Sequence, residues 1–421
     1  MYINLLFQTI TTKKQDVTKK LKNNTFQNER REMGLKKFER TIRIFSGQLL
    51  YLLIFLTIFL PDICAGQIDK QSKKYSDEAV QKLKSNCDYV HVDDREYRII
   101  SPDDVARKRS EIIRAIWDTG QIPDRSNVLV SPNCQSPLSA NPIVSRVDKI
   151  EIPVEGVDSI SDLAYLFVPV KRNNRLVLFC PGHSCLLKDL TEKPSQGIEA
   201  TVTGLLSDGF DVLSVYMPHV SESNCDLDHC KIFNTNLGIK NPKPTSGLRL
   251  FLEPTIVSLN YLLKRNNYKN VNMVGLSGGG WTTNLIAAVD TRIKLSFCVA
   301  GSMPIYYRFG ASVGDIEQFL PELYRDIAGY PDIYILNSFG KGRKLTQIFN
   351  RYDSCCFGEK QHDPKRDYEN DLNSFEKNLN EKLESLKCRD HYRLVIDEQA
   401  PSHQISGFAL DSIILPGLNE K

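Results

Sequence analysis

The chain has 421 residues, 41% hydrophobic and 25% charged, a balance that fits a globular protein and excludes a low-complexity or collagen-like one. Its formal net charge of +3 is unevenly spread. Residues 1–66 hold 11 Lys/Arg against 5 Asp/Glu, so the remainder carries a net −3 and gives no sign of a nucleic-acid partner. The length suits one large α/β domain with appendages.

The first element is a leader. Ile44–Leu60 has no charged residue and is preceded by Lys36, Lys37, Arg40 and Arg43. After it, the small residues Cys64 and Gly66 suit signal-peptidase cleavage before Gln67. Met33 stands just ahead of the basic stretch, and a start there gives a leader of conventional length. The expected localisation is therefore secreted or extracytoplasmic. Membrane contact is expected only through segment 44–60, acting as an uncleaved anchor. There are 11 cysteines, and 10 remain once Cys64 leaves with the leader, an even number that fits an oxidising compartment. Cys225 with Cys230, and Cys87 with Cys134, are candidate pairs; Cys180 and Cys298, in apolar runs, read as buried free thiols.

Residues 67–143 read as an N-terminal helical segment with linkers, a polar one at 67–75 and a proline- and serine-rich one at about 121–143. Ser101-Pro102-Asp103-Asp104 opens a helix that runs to about Trp117: serine suits the N-cap, proline the first turn and the acids the positive end of the dipole. From residue 144 to 421 strands and helices alternate. Val147–Val154 and Leu163–Val168 read as a strand pair. Leu176–Cys180, Val212–Tyr216, Val271–Gly275 and Ile293–Ala300 read as buried strands, with helices over Ile198–Leu206, Leu250–Lys264 and Thr282–Val289 between them. The fold class is α/β: an eight-strand-type, mostly parallel central sheet covered on both faces by helices, plus the N-terminal helical segment. A helical insertion starting at Gly314 and running to Asp326 could cap the site within about residues 303–330, or be a solvated acidic helix start.

The informative run is Val271-Asn272-Met273-Val274-Gly275-Leu276-Ser277-Gly278-Gly279-Gly280-Trp281. It combines Gly-x-Ser-x-Gly with a strand before it and a helix after it, the context of a nucleophile elbow. A phosphate-cradling loop would need a following Gly-Lys-Ser/Thr, which is missing. Ser277 is thus the expected nucleophile. Its hydroxyl needs a base, and the base an orienting acid, in the chain order Ser, Asp/Glu, His. Downstream lie His362, in a charged loop that reads as solvated, His391, at the start of a strand, and His403, in the loop after the last strand. His403 is the expected base. Asp353, after the run from Leu345, is the expected acid, with Asp332 and Asp397 as rivals. Oxyanion donors are expected at the backbone amide of Gly278 and at that of His183 or Ser184, in the loop after Leu176–Cys180. His219, Cys225, Asp226, Asp228, His229 and Cys230 share one loop but match no standard zinc spacing, so neither a metal nor another cofactor is expected.

Over residues 147–417 the GLSGGGW elbow, the CPGHS loop, the NRYDSCCF segment and the SHQIS segment resemble the α/β-hydrolase superfamily, in that family's order. The opening hairpin and PGH loop are similar to the acetyl xylan esterase, dienelactone hydrolase and prolyl-oligopeptidase-like branches. The elbow, with Leu276 and three glycines, looks most like a set of GLSGGGW-type hydrolases. The resemblance implies Ser277, Asp353 and His403 as a catalytic triad, with Gly278 and the loop at Gly182-His183-Ser184 as oxyanion hole. It further implies a serine hydrolase acting on a small-molecule or polymer-attached acyl ester. The alternatives are a peptidase or amidase of the same fold, and a binding protein that has lost activity.

Overall fold

Strand β4 (Leu176–Cys180), β5 (Asp211–Val215) and β6 (Val271–Leu276) are buried along their whole length, as their unbroken apolar runs require of central parallel strands. They form the middle of a nine-stranded sheet in the computed structural model, which describes residues 92–153, 161–192, 196–218, 229, 233, 243–308, 315–389 and 391–420. These residues all belong to one unit, Lys82–Lys421. The leader, the linker at 67–75, Cys87, and the loop with His219, Cys225 and Cys230 lie outside the described residues. Among the described residues no helix is long and apolar enough to cross a membrane.

At one edge, β1 (Leu129–Ser131), β2 (Val144–Pro153) and β3 (Ser161–Pro169) run antiparallel, and β3 pairs antiparallel with β5. From β5 onward six strands are parallel, in the order β5-β4-β6-β7-β8-β9, with β7 at Ile293–Val299, β8 at Lys344–Asn350 and β9 at Tyr392–Asp397. The sheet thus has nine strands where eight were expected, the addition being the short edge strand β1. Register aligns the strand ends in a row: Cys180 opposite Gly275, Leu276 opposite Val299, Val299 opposite Ile348, and Asn350 opposite Asp397. Loops leaving those ends share one side of the sheet, where open α/β sheets form their crevice.

Helices surround the sheet: α1 (Pro102–Ile116), α2 (Leu186–Glu192), α3 (Ile198–Ser207), α4 (Leu248–Leu263), α5 (Gly278–Val289), α6 (Tyr330–Ser338) and α7 (Tyr368–Ser385). The start of α1 is a capping box. The Asp104 amide donates to the Ser101 hydroxyl at 3.4 Å, and the Ser101 amide donates back to Asp104 Oδ2 at 2.9 Å. Its buried stripe of Val105, Ile112 and Ile116 faces the core, and Arg109 reaches the carbonyl of Ala288 at 2.8 Å and of Leu336 at 2.9 Å, the negative ends of α5 and α6.

Three sequence expectations need correction. Residues 316–326 do not form one helix but a 3-10 turn at Ile316–Gln318 and a single turn at Pro321–Tyr324, where Pro321 stands at the favoured first position. The segment after Asp353 holds the 18-residue helix α7, whose charged sequence hides a narrow stripe of Leu372, Phe375, Leu379 and Leu383. His362 is not solvated: it is buried, and its Nε2 lies 2.7 Å from Asp371 Oδ2 on α7. Cys180, Cys298 and Cys388 are buried free thiols, Cys185 is disulfide-bonded and Cys355 is bonded to Cys356.

Two buried carboxylates tie residues 92–100 to the body. Asp94 accepts backbone N–H groups of Ile305, Tyr306 and Tyr330, and Asp332 those of Arg98 and Ile99, at 2.9 to 3.3 Å. Burial pushes the Asp332 carboxyl from 3.8 up to about 6, against the opposing pull of the Ile99 and Arg98 amides. A carboxyl with a raised folded-state pKa holds its proton more tightly when folded. Its contribution is therefore most favourable below the unfolded value and is lost as pH rises through the folded one. Urea midpoints of wild type and Asp332→Asn, measured from pH 4 to 7, should show wild type losing up to about 3 kcal/mol relative to the variant. Parallel pH profiles would refute this.

Candidate active site

β6 ends at Leu276, α5 begins at Gly278, and the whole reversal falls on Ser277. Its φ of 59° and ψ of −132° are strained for a residue with a side chain. The turn is locked by its backbone: the Ser277 amide donates to Val299 O at 2.9 Å, and its carbonyl accepts from Gly280 and Trp281 at 2.8 and 3.1 Å. Close packing explains the flanking glycines. A methyl group on Gly275 would lie 2.2 Å from the Gly279 carbonyl oxygen, and one on Gly279 would lie 1.9 Å from that of Cys180. The end of β4 is thereby pressed onto the elbow.

That contact brings the Pro181–Cys185 loop against the candidate nucleophile. A methyl on Gly182 would sit 3.1 Å from Ser277 Cβ, and one on Gly278 would sit 3.4 Å from His183 Cε1. Gly278 opens α5, where amides have no partner within the helix and the dipole favours negative charge. Of the two amides expected from the facing loop, Ser184 must be set aside: its N–H donates to Gly182 O at 2.8 Å, within the turn itself. The His183 amide makes no hydrogen bond among the described residues. The His183 imidazole is mostly buried, and burial, with His229 beside it, pushes its pKa down.

Across the row of strand ends, His403 Nδ1 lies 2.6 Å from Asp353 Oδ2. The other carboxylate oxygen accepts from the amides of Cys355 and Cys356 at 2.7 and 3.0 Å, so a buried Asp353 is fixed on both oxygens. Its rivals are engaged elsewhere: Asp332 on the N-terminal segment, and Asp397 on the amides of Gln399 and Ala400 and the hydroxyl of Ser406. Asp397 therefore shapes the loop that carries His403. His391 is structural, its Nδ1 2.9 Å from Ser338 O.

Sequence reasoning passed over Asn350, the last residue of β8. Its side-chain amide donates to Ser402 O at 3.1 Å and Gln404 O at 2.7 Å, clamping the backbone on both sides of His403. A polar residue at the buried end of an apolar strand was the available signal. His403 Nε2 makes no hydrogen bond among the described residues and is inaccessible to solvent. It has no direct bond to Ser277 in this geometry, as is common for catalytic contacts before substrate arrives.

No protein-family model matches the chain, and no curated protein does. Solved structures do. A protein of Bacteroides fragilis NCTC 9343 described as an acetyl xylan esterase matches at 12% identity over 77% of this chain and 82% of its own, with a TM-score of 0.50. A glucuronoyl esterase from Solibacter usitatus matches at 13% identity over 73% of this chain and 89% of its own, with a TM-score of 0.47. A methylesterase matches at 13% identity over 74% of this chain, which spans 61% of that protein's length, with a TM-score of 0.46.

Substituting Gly279 by Ala forces its methyl into the Cys180 carbonyl. We expect a loss of at least about 2 kcal/mol by urea unfolding, or failure to fold; a variant as stable as wild type would show that the elbow is not closely packed. With six parallel strands, an antiparallel edge, a strained Gly-x-Ser-x-Gly turn after β6 and the likeness to the Bacteroides fragilis structure, the chain has the α/β-hydrolase fold.

Proposed function

We propose that this chain is a secreted serine hydrolase of carboxylic esters, with Ser277 as nucleophile, His403 as general base and Asp353 as the acid that orients it. The observation that carries the reading is the 2.6 Å hydrogen bond between His403 Nδ1 and Asp353 Oδ2, on the same side of the strand ends as the strained Ser277. Held by Asp353, His403 has its proton on Nδ1 and its lone pair on Nε2, the tautomer a base requires. His403 takes the hydroxyl proton as Ser277 attacks the ester carbonyl. The tetrahedral oxyanion meets the amides of Gly278 and His183, where the start of α5 adds its positive end. Collapse expels the alcohol, which takes the proton from His403. Water, activated by the same base, then releases the acid and restores Ser277.

The substrate is read as an acyl ester, free or attached to a polymer. This rests on the esterases among proteins of similar fold and on the open side of the sheet, where the loops after β4, β6, β8 and β9 meet. Secretion is read from the apolar segment 44–60 and its small-residue exit, and bonded cysteines agree with an oxidising compartment.

The test is a panel of p-nitrophenyl esters and aminoacyl anilides with labelling by a fluorophosphonate probe. Ser277→Ala should abolish labelling and lower kcat about 10⁶-fold, and His403→Ala should do nearly the same. Asp353→Asn should cost about 10⁴-fold, from loss of the correct tautomer. Turnover confined to anilides would make the protein a peptidase or amidase. Folded protein that neither labels nor hydrolyses would leave a binding role. Damage from Asp397→Asn but not from Asp353→Asn would overturn the choice of acid.

A further inference from the structure

The mechanism above leaves a second histidine cluster unused. His229 stacks near-parallel on Phe251 with ring centroids 6.1 Å apart, and Phe251 meets Trp281 of α5 edge-on at 5.5 Å. Held there, the ring presents Nδ1 to Glu317 Oε2 at 2.9 Å and Nε2 directly to Nε2 of His183. Asp315 Oδ2 lies 3.8 Å from the same His229 nitrogen. One ligand atom from each of His183, His229 and Asp315 falls within 4.8 Å of the other two.

The chemistry of this arrangement is specific. Glu317 has a fully buried carboxylate whose only ion-pair partner among the described residues is His229. Accepting the Nδ1 proton, Glu317 fixes the tautomer that leaves a lone pair on Nε2 of His229. A carboxylate behind an imidazole is the usual support of a metal-ligating histidine. A hydrogen bond between the two imidazoles would satisfy their nitrogens but leave two carboxylates uncompensated beside them. A divalent cation bound by both nitrogens, once the rings part to admit it, satisfies both rings and balances both charges. Two imidazoles and a carboxylate select zinc-like ions over magnesium or calcium, which prefer all-oxygen sites. The Asp315 side chain is 42% exposed, which gives an ion a route in.

We propose that His183, His229 and Asp315 bind a divalent transition-metal ion of the zinc class, with Glu317 orienting His229 and the fourth position open to water or a substrate oxygen. Three protein ligands with one open position is the pattern of sites that take part in reactions rather than only hold structure. The ring of His183 packs beside Gly278, so the ion would border the candidate oxyanion hole. The ligands come from separate parts of the chain, His183 and His229 being 46 residues apart, so no spacing motif could reveal them.

The test is calorimetric titration of zinc into the full chain after chelator treatment and dialysis. Wild type should bind one ion per chain. His229→Ala and Asp315→Asn should weaken binding about 100-fold or more, and Glu317→Gln about 10- to 100-fold, as losing a supporting carboxylate does. Ser277→Ala and His403→Ala should bind as wild type does. Absence of stoichiometric zinc on wild type overturns the proposal without recourse to any variant. So does binding that survives in both His229→Ala and Asp315→Asn. Binding lost in His403→Ala also overturns it, by assigning the ion to a site that includes His403. Circular dichroism of each variant separates lost ligands from lost fold. Fluorophosphonate labelling of Ser277 is read separately, so failure of the metal site and failure of the esterase reading are distinguishable.

Discussion

A single residue held at φ 59° organises the candidate site of this molecule. Ser277 can stay there only because three chain segments close on it at less than the width of a side chain. Gly275 abuts Gly279 within the elbow, and Gly279 abuts the end of β4. The Ser277 amide is tied to β7 through Val299. Backbone strain of this kind costs on the order of 1–3 kcal/mol and persists only where surrounding structure over-determines it. Here the over-determination comes from the parallel sheet itself. Its hydrogen-bonded register sets Cys180, Gly275 and Val299 side by side and leaves the connecting turns no slack.

The same register explains why His403 and Asp353, distant in sequence, meet. Asn350 and Asp397 are paired residues at the ends of β8 and β9. Each then turns inward to shape the following loops, Asn350 by gripping the carbonyls around His403, Asp397 by capping the turn at Gln399 and Ala400. His403 is thus delivered to Asp353 by two polar residues that do not touch its ring. Buried polar groups with directional partners fix one geometry where apolar packing alone would allow several.

Much of this was legible in the sequence, and what was not has physical reasons. The elbow could be read because its requirements are local: glycines where backbones touch, a strand before, a helix after. Chain order then narrowed the candidates to three histidines and three aspartates, and the position of each after a strand favoured His403 and Asp353. Helix α7 was hidden because its apolar residues form one narrow stripe in a highly charged segment, and His362 looked solvated because its partner Asp371 belongs to that unseen helix. The commitment of the Ser184 amide to Gly182 is a matter of backbone torsion, which side-chain identity does not encode. Asp94 and Asp332 gave no sequence signal, since an acid that binds backbone amides looks the same as one that faces water until the fold buries it.

His183 is where these threads join. Its backbone follows Gly182, which packs on the elbow, while its ring lies beside Gly278 and reaches His229 and, through it, Glu317. A loop donor at an oxyanion hole is useful only if it is already in position when charge develops, because reorganising it during the reaction would add to the barrier. Contact with Gly279 fixes the loop at the Cys180 end, and the disulfide at Cys185 constrains the other. The imidazole pair adds a third restraint, the one that can respond to its surroundings. The candidate ion site and the candidate oxyanion hole therefore share one residue of this short loop, His183.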